Sequence, residues 1–174
     1  SPPPIIPPSE QDESSNLPSI EEIHTPNAGT IEEVCTFLKT TSKNLIKTLI
    51  YKLEENIVVA LVRGDFEIND EKLRIVAGSV GLADEETIKK LTGSEVGFAG
   101  PIGLSEKVEK LIIDHSIAAM AVGMTGANKT DYHIKNVVPG RDFPLEGNNV
   151  IVADIRNAVE GDTYNGKKLL FKRG

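Results

Sequence analysis

The feature that most constrains this chain is an apolar run at residues 56–62, rich in β-branched side chains. The run ends at a turn formed by Arg63, Gly64 and Asp65. A run of this length, bounded by turn residues, is typical of a strand buried on both faces. The sequence therefore predicts a central strand in a core of Ile, Leu, Val and Ala, because aromatic residues make up only 5% of the chain and Trp is absent.

Helix signals lie on both sides of this strand. Three short helices are expected to end near residues 39, 77 and 91, with caps at Thr30, at Asn69 or Asp70, and at Asp84. A further helix is predicted after Thr41, because five apolar residues follow at helical spacing. They are Leu45, Ile46, Leu49, Ile50 and Leu53.

Several further strands are predicted in the second half of the chain, at residues 110–114, 132–138, 150–153 and 168–172. Helices and strands interleave, but the late strands follow one another. The pattern predicts an α/β (α+β) fold with a mixed, mostly antiparallel central sheet and helices packed on it. A length of 174 residues favours one domain.

Composition excludes several classes of protein. One cysteine, Cys35, rules out a disulfide framework, and no apolar run approaches 18 residues, so no membrane span is expected. The 19 basic and 26 acidic residues give a net charge of −7, which argues against broad duplex DNA binding. Five of the ten prolines lie in residues 1–8 and a polar stretch follows, so residues 1 to 16 are predicted to be a tail or linker.

Motif searches for common catalytic centres find little. Residues 123–130 resemble a phosphate loop, but Asn128 replaces the glycine before the lysine and a strand follows, so a polar loop is predicted. The histidines have no partner at metal-ligand spacing, so no metal site is predicted. Cys35 falls on an apolar helix face, where a structural role is favoured over a nucleophilic one.

Two features keep both a structural and a functional interpretation. Lys43 and Lys47 are four residues apart, so the predicted helix would place them on one face, either solvated or aimed at a phosphate or carbonyl. The glycine-rich loop at 97–103 is either a turn or a place where bare backbone N–H groups approach a ligand.

An ordered series of motifs resembles the editing insertion of bacterial-type prolyl-tRNA synthetases, within the trans-editing aminoacyl-tRNA deacylase superfamily. Each motif is weak alone, but the order from about residue 25 to 174 is specific. The motifs are TPN (25–27), TIEE (30–33), KTL (47–49), LVRGD (61–65), GFAGP (97–101), Asp114, AAM (118–120), GANKTDYH (126–133), RDF (141–143), ADIRN (153–157) and GD (161–162).

The resemblance implies an aminoacyl-tRNA hydrolase that clears alanine from tRNA(Pro). A pocket that accepts proline cannot strongly reject a smaller side chain, since a methylene is worth only about 1–3 kcal/mol. The resemblance implies no cofactor and no protein nucleophile; water or the neighbouring ribose hydroxyl would attack the ester. The implied partners are the alanylated 3′ end of tRNA(Pro) and the rest of a parent synthetase, in the cytoplasm, with no membrane and no DNA.

The resemblance also assigns residue roles. Lys47 would hold a phosphate or the carbonyl region, and the backbone of Gly97, Gly100 and Pro101 would polarise the ester. His133 would limit the size of the bound side chain. Asp114 would be either structural or a ligand of the α-amino group. Contacts to the CCA end would come from Lys43, Arg63, Asn128 and Lys129.

The resemblance divides the chain into a tail or linker at residues 1–24 and an editing domain at 25–174. No class II synthetase core is present, so we expect a domain excised from a larger synthetase. A free-standing deacylase of the same fold and a noncatalytic insertion that positions tRNA are the alternatives.

Overall fold

A computed structural model describes residues 17–158. The predicted strand at 168–172 and the predicted tail at 1–16 lie outside these residues. Within them, strands and α-helices follow in the order β1 (Glu21–His24), α1 (Ile31–Leu38), β2 (Ile46–Leu53), β3 (Asn56–Arg63), α2 (Asp70–Ala77), β4 (Gly81–Leu82), α3 (Glu85–Thr92), β5 (Lys110–Asp114), α4 (His115–Ala118), β6 (Gly123–Gly126), β7 (Tyr132–Val137) and β8 (Val150–Ala153).

The core is built on a five-stranded sheet with the order β4–β2–β3–β5–β8. β2 pairs antiparallel with β3 and β4, whereas β5 lies parallel to β3 and to β8. Residues 58–62 of β3 are completely buried, because one face of the sheet packs against α2 and the other against a second sheet. The central strand predicted from the apolar run is confirmed.

The second sheet is smaller and has the order β1–β7–β6, with both pairings antiparallel. It joins the larger sheet where Leu45 bridges Met124 and where the Thr125 hydroxyl donates to the carbonyl of Ile46 at 3.1 Å. The predicted mixed, mostly antiparallel architecture is confirmed. The division into two sheets was not predicted, and β1 lies within the segment predicted to be tail or linker.

The helix predicted after Thr41 is wrong. Only Ser42–Asn44 form a short 3-10 turn, and the apolar residues that follow lie on β2, paired with β3 from Ile46↔Arg63 to Leu53↔Asn56. A strand covered on both faces does not alternate, so its apolar residues also fit helical spacing. Lys43 and Lys47 therefore do not share a helical face.

The other three predicted helices are confirmed together with their caps. Thr30 and Glu33 form a capping box at the start of α1, and Asn69 and Asp84 accept backbone hydrogen bonds at α2 and α3. The loop predicted at 123–130 is wrong in its first half, where Gly123–Gly126 form β6.

Candidate functional site

A cavity of about 300 Å³ opens where the two sheets meet. Its wall is made by the start of α1, by β2, by the loop at 96–99 and by the facing parts of β6 and β7. It contains three of the predicted site residues, Lys47, Gly97 and His133. Its polar remainder comes from Thr30, Thr48 and Thr125, and its apolar remainder includes Ile31, Val34, Leu45, Ile46, Val96, Ala99 and Met124.

Glycines allow the 96–99 loop to form this wall. Gly97 has φ +102°, and a Cβ there would lie 2.3 Å from the carbonyl oxygen of Gly29. A Cβ on Gly126 would lie 2.3 Å from the carbonyl oxygen of Phe98. Main chain thus packs directly on main chain on both sides of the loop. Within residues 17–158 the N–H groups of Gly97 and Ala99 make no hydrogen bond, so they are available to a bound ligand.

Gly100 and Pro101 lie behind the cavity wall and are buried. The Asn128 side chain accepts from the Gly100 N–H at 2.8 Å and donates to the carbonyls of Gly100 and Ile102 at 3.1 and 3.2 Å. Asn128 itself has φ +57°, a conformation that asparagine tolerates. These three predicted site residues brace the loop, and none of them lines the cavity.

His133 closes the cavity from β7 and is 4% exposed. Its Nδ1 lies 2.7 Å from the Thr25 hydroxyl, and its ring is 5.4 Å from that of Phe98. Burial lowers the pKa of His133 to about 4, although a hydrogen bond with the Gly97 backbone acts in the opposite direction. His133 is therefore a neutral imidazole at physiological pH.

The Thr25–His133 pair has the spacing of a nucleophile and its base, but not the chemistry. Thr25 is 0% exposed and does not line the cavity, so a substrate carbonyl has no access to its hydroxyl. An imidazole with a pKa near 4 is also a weak base. The contact instead fixes the orientation of the His133 ring.

Lys47 approaches the cavity from β2, with a side chain that is 19% exposed. Its Nζ lies 3.4 Å from Glu67 Oε2, and the Glu67 side chain is 79% exposed. Such an exposed ion pair contributes little stability, so a substrate anion or carbonyl can compete for the ammonium group. Lys47, the 96–99 backbone and His133 thus converge on one small volume.

Asp114 lies away from this cavity, at the end of β5. It is completely buried, and its Oδ1 and Oδ2 each accept a backbone hydrogen bond at 2.9 Å, from Ile155 and Ser116. Both carboxylate oxygens are engaged in holding β5, α4 and the chain after β8 together.

The remaining predicted contacts also lie outside the cavity. Lys129 is exposed, pairs with Glu22 at 3.2 Å and lies 4.4 Å from the centre of the Tyr132 ring. Lys43 and Arg63 line a separate cleft on the other side of the junction between the sheets.

The cavity also contains residues that the sequence did not single out. Thr48 lines it, and within the described residues its buried hydroxyl oxygen has no hydrogen-bond partner. Met124 and Thr125 were assigned to a loop, because two glycines flank them. Recognition of β2 as a strand would not by itself have found Thr48, because consecutive strand residues point to opposite faces of a sheet.

Other kinds of site find no support within residues 17–158. No three His, Cys, Asp or Glu side chains there come together as metal ligands. None of the helices there has the length and apolar character needed to cross a bilayer. Partial burial and Glu32 raise the pKa of Cys35, which disfavours the reactive thiolate.

The fold and cavity define a small mixed α/β domain with a glycine-walled ligand site, and sequence comparison identifies its family. The profile of the aminoacyl-tRNA editing domain matches residues 25–143. A proline–tRNA ligase of Thermoanaerobacter sp. (strain X514) is 50% identical over 160 residues, covering 88% of this chain. A proline–tRNA ligase of Brachyspira hyodysenteriae is 45% identical over 161 residues, covering 90% of it.

The chain therefore belongs to the aminoacyl-tRNA editing domain family, and it is similar to one segment of these proline–tRNA ligases. It spans about 27% of the length of either ligase. A solved structure provisionally described as a trans-editing enzyme for prolyl tRNA synthetase shares the fold, with a TM-score of 0.65 and 18% identity. That similarity covers 80% of this chain and 87% of the other.

Proposed function

We propose that this domain hydrolyses the ester bond of Ala-tRNA(Pro), as the post-transfer editing site of a cytoplasmic prolyl-tRNA synthetase. The observation that carries the proposal is the convergence of free backbone N–H groups, Lys47 and neutral His133 on a cavity of about 300 Å³. Membership of the family supports aminoacyl-tRNA deacylase activity in general. The parent synthetase would supply the aminoacylation site and most of the tRNA contacts.

The ester carbonyl would lie against the 96–99 loop. The N–H groups of Gly97 and Ala99 would donate to the oxygen as it gains negative charge, which is where preorganised donors have most effect. Gly100, Pro101 and Asn128 would keep that backbone in place. Lys47 would bind the carbonyl region or the adjacent phosphate.

The attacking group would be water or the vicinal ribose hydroxyl. No hydroxyl that lines the cavity lies beside a base within the described residues: Thr125 donates to a backbone carbonyl, Thr30 caps α1, and Thr48 has no hydrogen-bond partner. Attack by the ribose hydroxyl would only move the alanyl group to the neighbouring ribose oxygen, so release in either case requires water. Water adds its OH to the carbonyl carbon, the bond to the ribose oxygen breaks, and the proton goes to that oxygen, which gives free alanine and free tRNA. Asp114 would support the fold rather than the substrate.

His133 would set the size limit. Its neutral ring is fixed by Thr25 and faces the cavity beside Ala99 and Gly126, so it can exclude a bulkier side chain without adding charge. A second site that admits alanine and excludes proline supplies the discrimination that the aminoacylation pocket of a synthetase lacks.

The deciding experiment incubates the 174-residue chain with Ala-tRNA(Pro) and, in parallel, with Pro-tRNA(Pro). We expect loss of the alanyl ester well above the buffer rate and little loss of the prolyl ester. A rate equal to buffer would favour a noncatalytic insertion that positions tRNA. A rate for the chain alone that equals the rate of a full-length prolyl-tRNA synthetase that carries an editing domain would favour the free-standing alternative.

Lys47→Ala tests the site itself. We expect deacylation to fall about 100-fold, because removal of one preorganised charge-stabilising group commonly has effects of this order. Circular dichroism should be unchanged, since the only ion pair lost is an exposed one. Unchanged turnover in a folded variant would remove Lys47 from the site. Lys90→Ala, an exposed lysine on α3, is the matched control.

A further inference from the structure

A second concave surface, here called the cationic cleft, lies on the other side of the sheet junction. It has a volume of about 630 Å³, and its polar lining comes from Lys43, Asn44, Arg63, His115, Ser116 and Arg156. No aspartate or glutamate lines it within residues 17–158, although the chain carries a net charge of −7. A cleft of one charge sign in an otherwise acidic protein favours an anionic ligand.

Two cations in the cleft are available to that ligand. Arg63 is held by Asp65 through two hydrogen bonds of 2.6 and 2.9 Å. By contrast, neither the Lys43 amine nor the Arg156 guanidinium has a carboxylate partner within 4.0 Å among the described residues. Lys43 and Arg156 can therefore bind a phosphate without breaking an ion pair in that part of the chain.

Arg156 is also positioned before any ligand arrives. Its guanidinium carbon lies 4.4 Å from the centre of the Phe66 ring, and that of Arg63 lies 4.5 Å from the same ring. Contact with an aromatic face restrains a guanidinium and leaves its N–H donors free at the edge. Ser116 accepts from the Arg63 backbone N–H at 3.3 Å, which leaves its own hydroxyl hydrogen free to donate.

The cationic cleft and the editing cavity are lined by successive parts of the same two chain segments. Residues 43–48 and 119–126 run side by side and are joined by the Leu45↔Met124 bridge. The first part of each segment lines the cleft and the second part lines the cavity. At about 3.3 Å per residue the two centres lie roughly 10–15 Å apart along the strand. That is the length of about three or four stacked nucleotides.

We propose that the cationic cleft binds the phosphodiester backbone of the single-stranded RNA nucleotides that precede the acylated adenosine, with Lys43 and Arg156 as the phosphate ligands. The inference rests on the proposed function, because it takes the cavity to hold the aminoacyl group. It adds Arg156, which the sequence did not single out, and it gives Lys43 a defined partner. Met120 and Val122, which is 39% exposed, supply an apolar wall for the bases.

The test uses the double variant K43Q/R156Q of the full 174-residue chain. Its control is K90Q/R74Q, which removes the same charges from exposed positions on α3 and α2. Fluorescence anisotropy measures binding of a single-stranded RNA that ends in CCA, over a range of salt concentrations. We expect K43Q/R156Q to bind at least tenfold more weakly, with a salt slope reduced by about 1.4 for two lost phosphate contacts.

Deacylation provides an independent measurement. K43Q/R156Q should raise KM for Ala-tRNA(Pro) with a smaller effect on kcat. The fold-decrease in kcat/KM should be at least five times larger for Ala-tRNA(Pro) than for 3′-O-alanyl-adenosine, which has no phosphate. The single variant R156K, in which Lys43 is unchanged, keeps the positive charge and should retain most of the RNA affinity of the parent. Equal affinity of K43Q/R156Q and K90Q/R74Q for the single-stranded RNA would overturn the proposal. It would also be overturned if K43Q/R156Q lost as much affinity for a blunt-ended RNA duplex as for the single strand.

The two proposals fail in different ways. If the chain hydrolyses neither Ala-tRNA(Pro) nor alanyl-adenosine, the editing reaction fails, but the RNA binding measurement still decides the cleft. If both esters are cleaved and K43Q/R156Q cleaves tRNA as well as the control does, the cleft fails alone.

Discussion

At the scale of single residues, the candidate site depends on an imidazole that is kept neutral. His133 is buried. Its Nδ1 is hydrogen-bonded to the Thr25 hydroxyl, and its ring is also hydrogen-bonded to the Gly97 backbone. A charged ring in this position would attract the negatively charged tetrahedral intermediate but would also cost desolvation energy. In the proposed reaction, a neutral ring would leave stabilisation of the oxyanion to the loop and Lys47.

The buried imidazole predicts that acid destabilises the fold. Its folded-state pKa of about 4 lies below the ordinary value of 6.5, so between these values the unfolded chain binds a proton that the folded chain does not. The free energy of unfolding should therefore fall as the pH falls, by about 2 kcal/mol from this group between pH 7 and 5, and be flat above about pH 7.

Urea denaturation of the parent and of His133→Gln at both pH values checks this. Between pH 7 and 5 the free energy of unfolding of the variant should fall by about 2 kcal/mol less than that of the parent, because all other titratable groups are common to both proteins. Equal losses would show that His133 does not titrate in this window.

His133→Ala tests the size limit. Removing the ring enlarges the cavity beside Ala99 and Gly126, so larger aminoacyl esters should become substrates. We expect the preference for alanyl over larger esters to fall at least tenfold, measured as the ratio of kcat/KM values. An unchanged ratio in a folded variant would remove His133 from the specificity pocket.

Thr48→Val is expected to stabilise the fold by about 1 kcal/mol, because the Thr48 hydroxyl oxygen is buried without a partner and valine fits a strand. Thr125→Val is the matched control: it removes a hydroxyl that donates to Ile46, so it should destabilise instead. Chemical denaturation of both variants gives the comparison. Destabilisation by Thr48→Val would mean that this hydroxyl is bonded in the folded protein.

At the scale of elements, the loop at 96–99 and β2 position the chemistry. The sequence singled out the loop through its visible glycines, as a turn or a backbone site, but it misassigned β2, which carries Lys47. The misassignment has a physical cause: the hairpin turn at Glu54 and Glu55 lacks the Asn-Gly signal, and β2 is apolar on both faces. Capping residues, by contrast, act locally, and the three helices with predicted caps are all present. The four-residue helix α4, which Asp114 caps, was not predicted.

Gly97→Ala is expected to damage the loop severely. The added Cβ would lie 2.3 Å from the Gly29 carbonyl oxygen, and φ is +102°. We expect a loss of about 3 kcal/mol or more in the free energy of unfolding. Gly81→Ala, where a Cβ would meet nothing within 4 Å, is the control and should change stability by less than about 0.5 kcal/mol. Similar stabilities for the two variants would contradict the close approach.

At the scale of the whole molecule, the cavity and the cationic cleft lie along one junction between two sheets. Sequence order alone could not show this, because contacts such as Leu45↔Met124 join segments that are far apart in the chain. The resemblance identified the family correctly. Of the site residues that it suggested, Lys47, Gly97 and His133 meet in the cavity. Asp114, Asn128 and Lys129 lie elsewhere. Motif matching selects residues without distinguishing those that touch a ligand from those that support the fold.

Truncation tests where the domain begins. β1 pairs with β7 along four residues, and Glu21 and Glu22 pair with Lys135 and Lys129. Deletion of residues 1–24 should therefore lower the free energy of unfolding by about 2 kcal/mol or more. Deletion of residues 1–16, predicted to be a tail, should leave it unchanged. Equal stability of the two truncations would support the boundary predicted after residue 24.

The close approach of Gly97 to Gly29, and of Gly126 to Phe98, means that the 96–99 wall of the cavity is made of main-chain groups, and in the proposed reaction these groups would face the ester. An alanine scan of such a wall reports mainly on folding, since it leaves every amide in place. Amide-to-ester replacement at Ala99, introduced by semisynthesis, would delete a single N–H donor and keep the side chains. Backbone substitution is therefore the appropriate test for this wall, because it separates the contribution of one N–H donor from the shape of the loop.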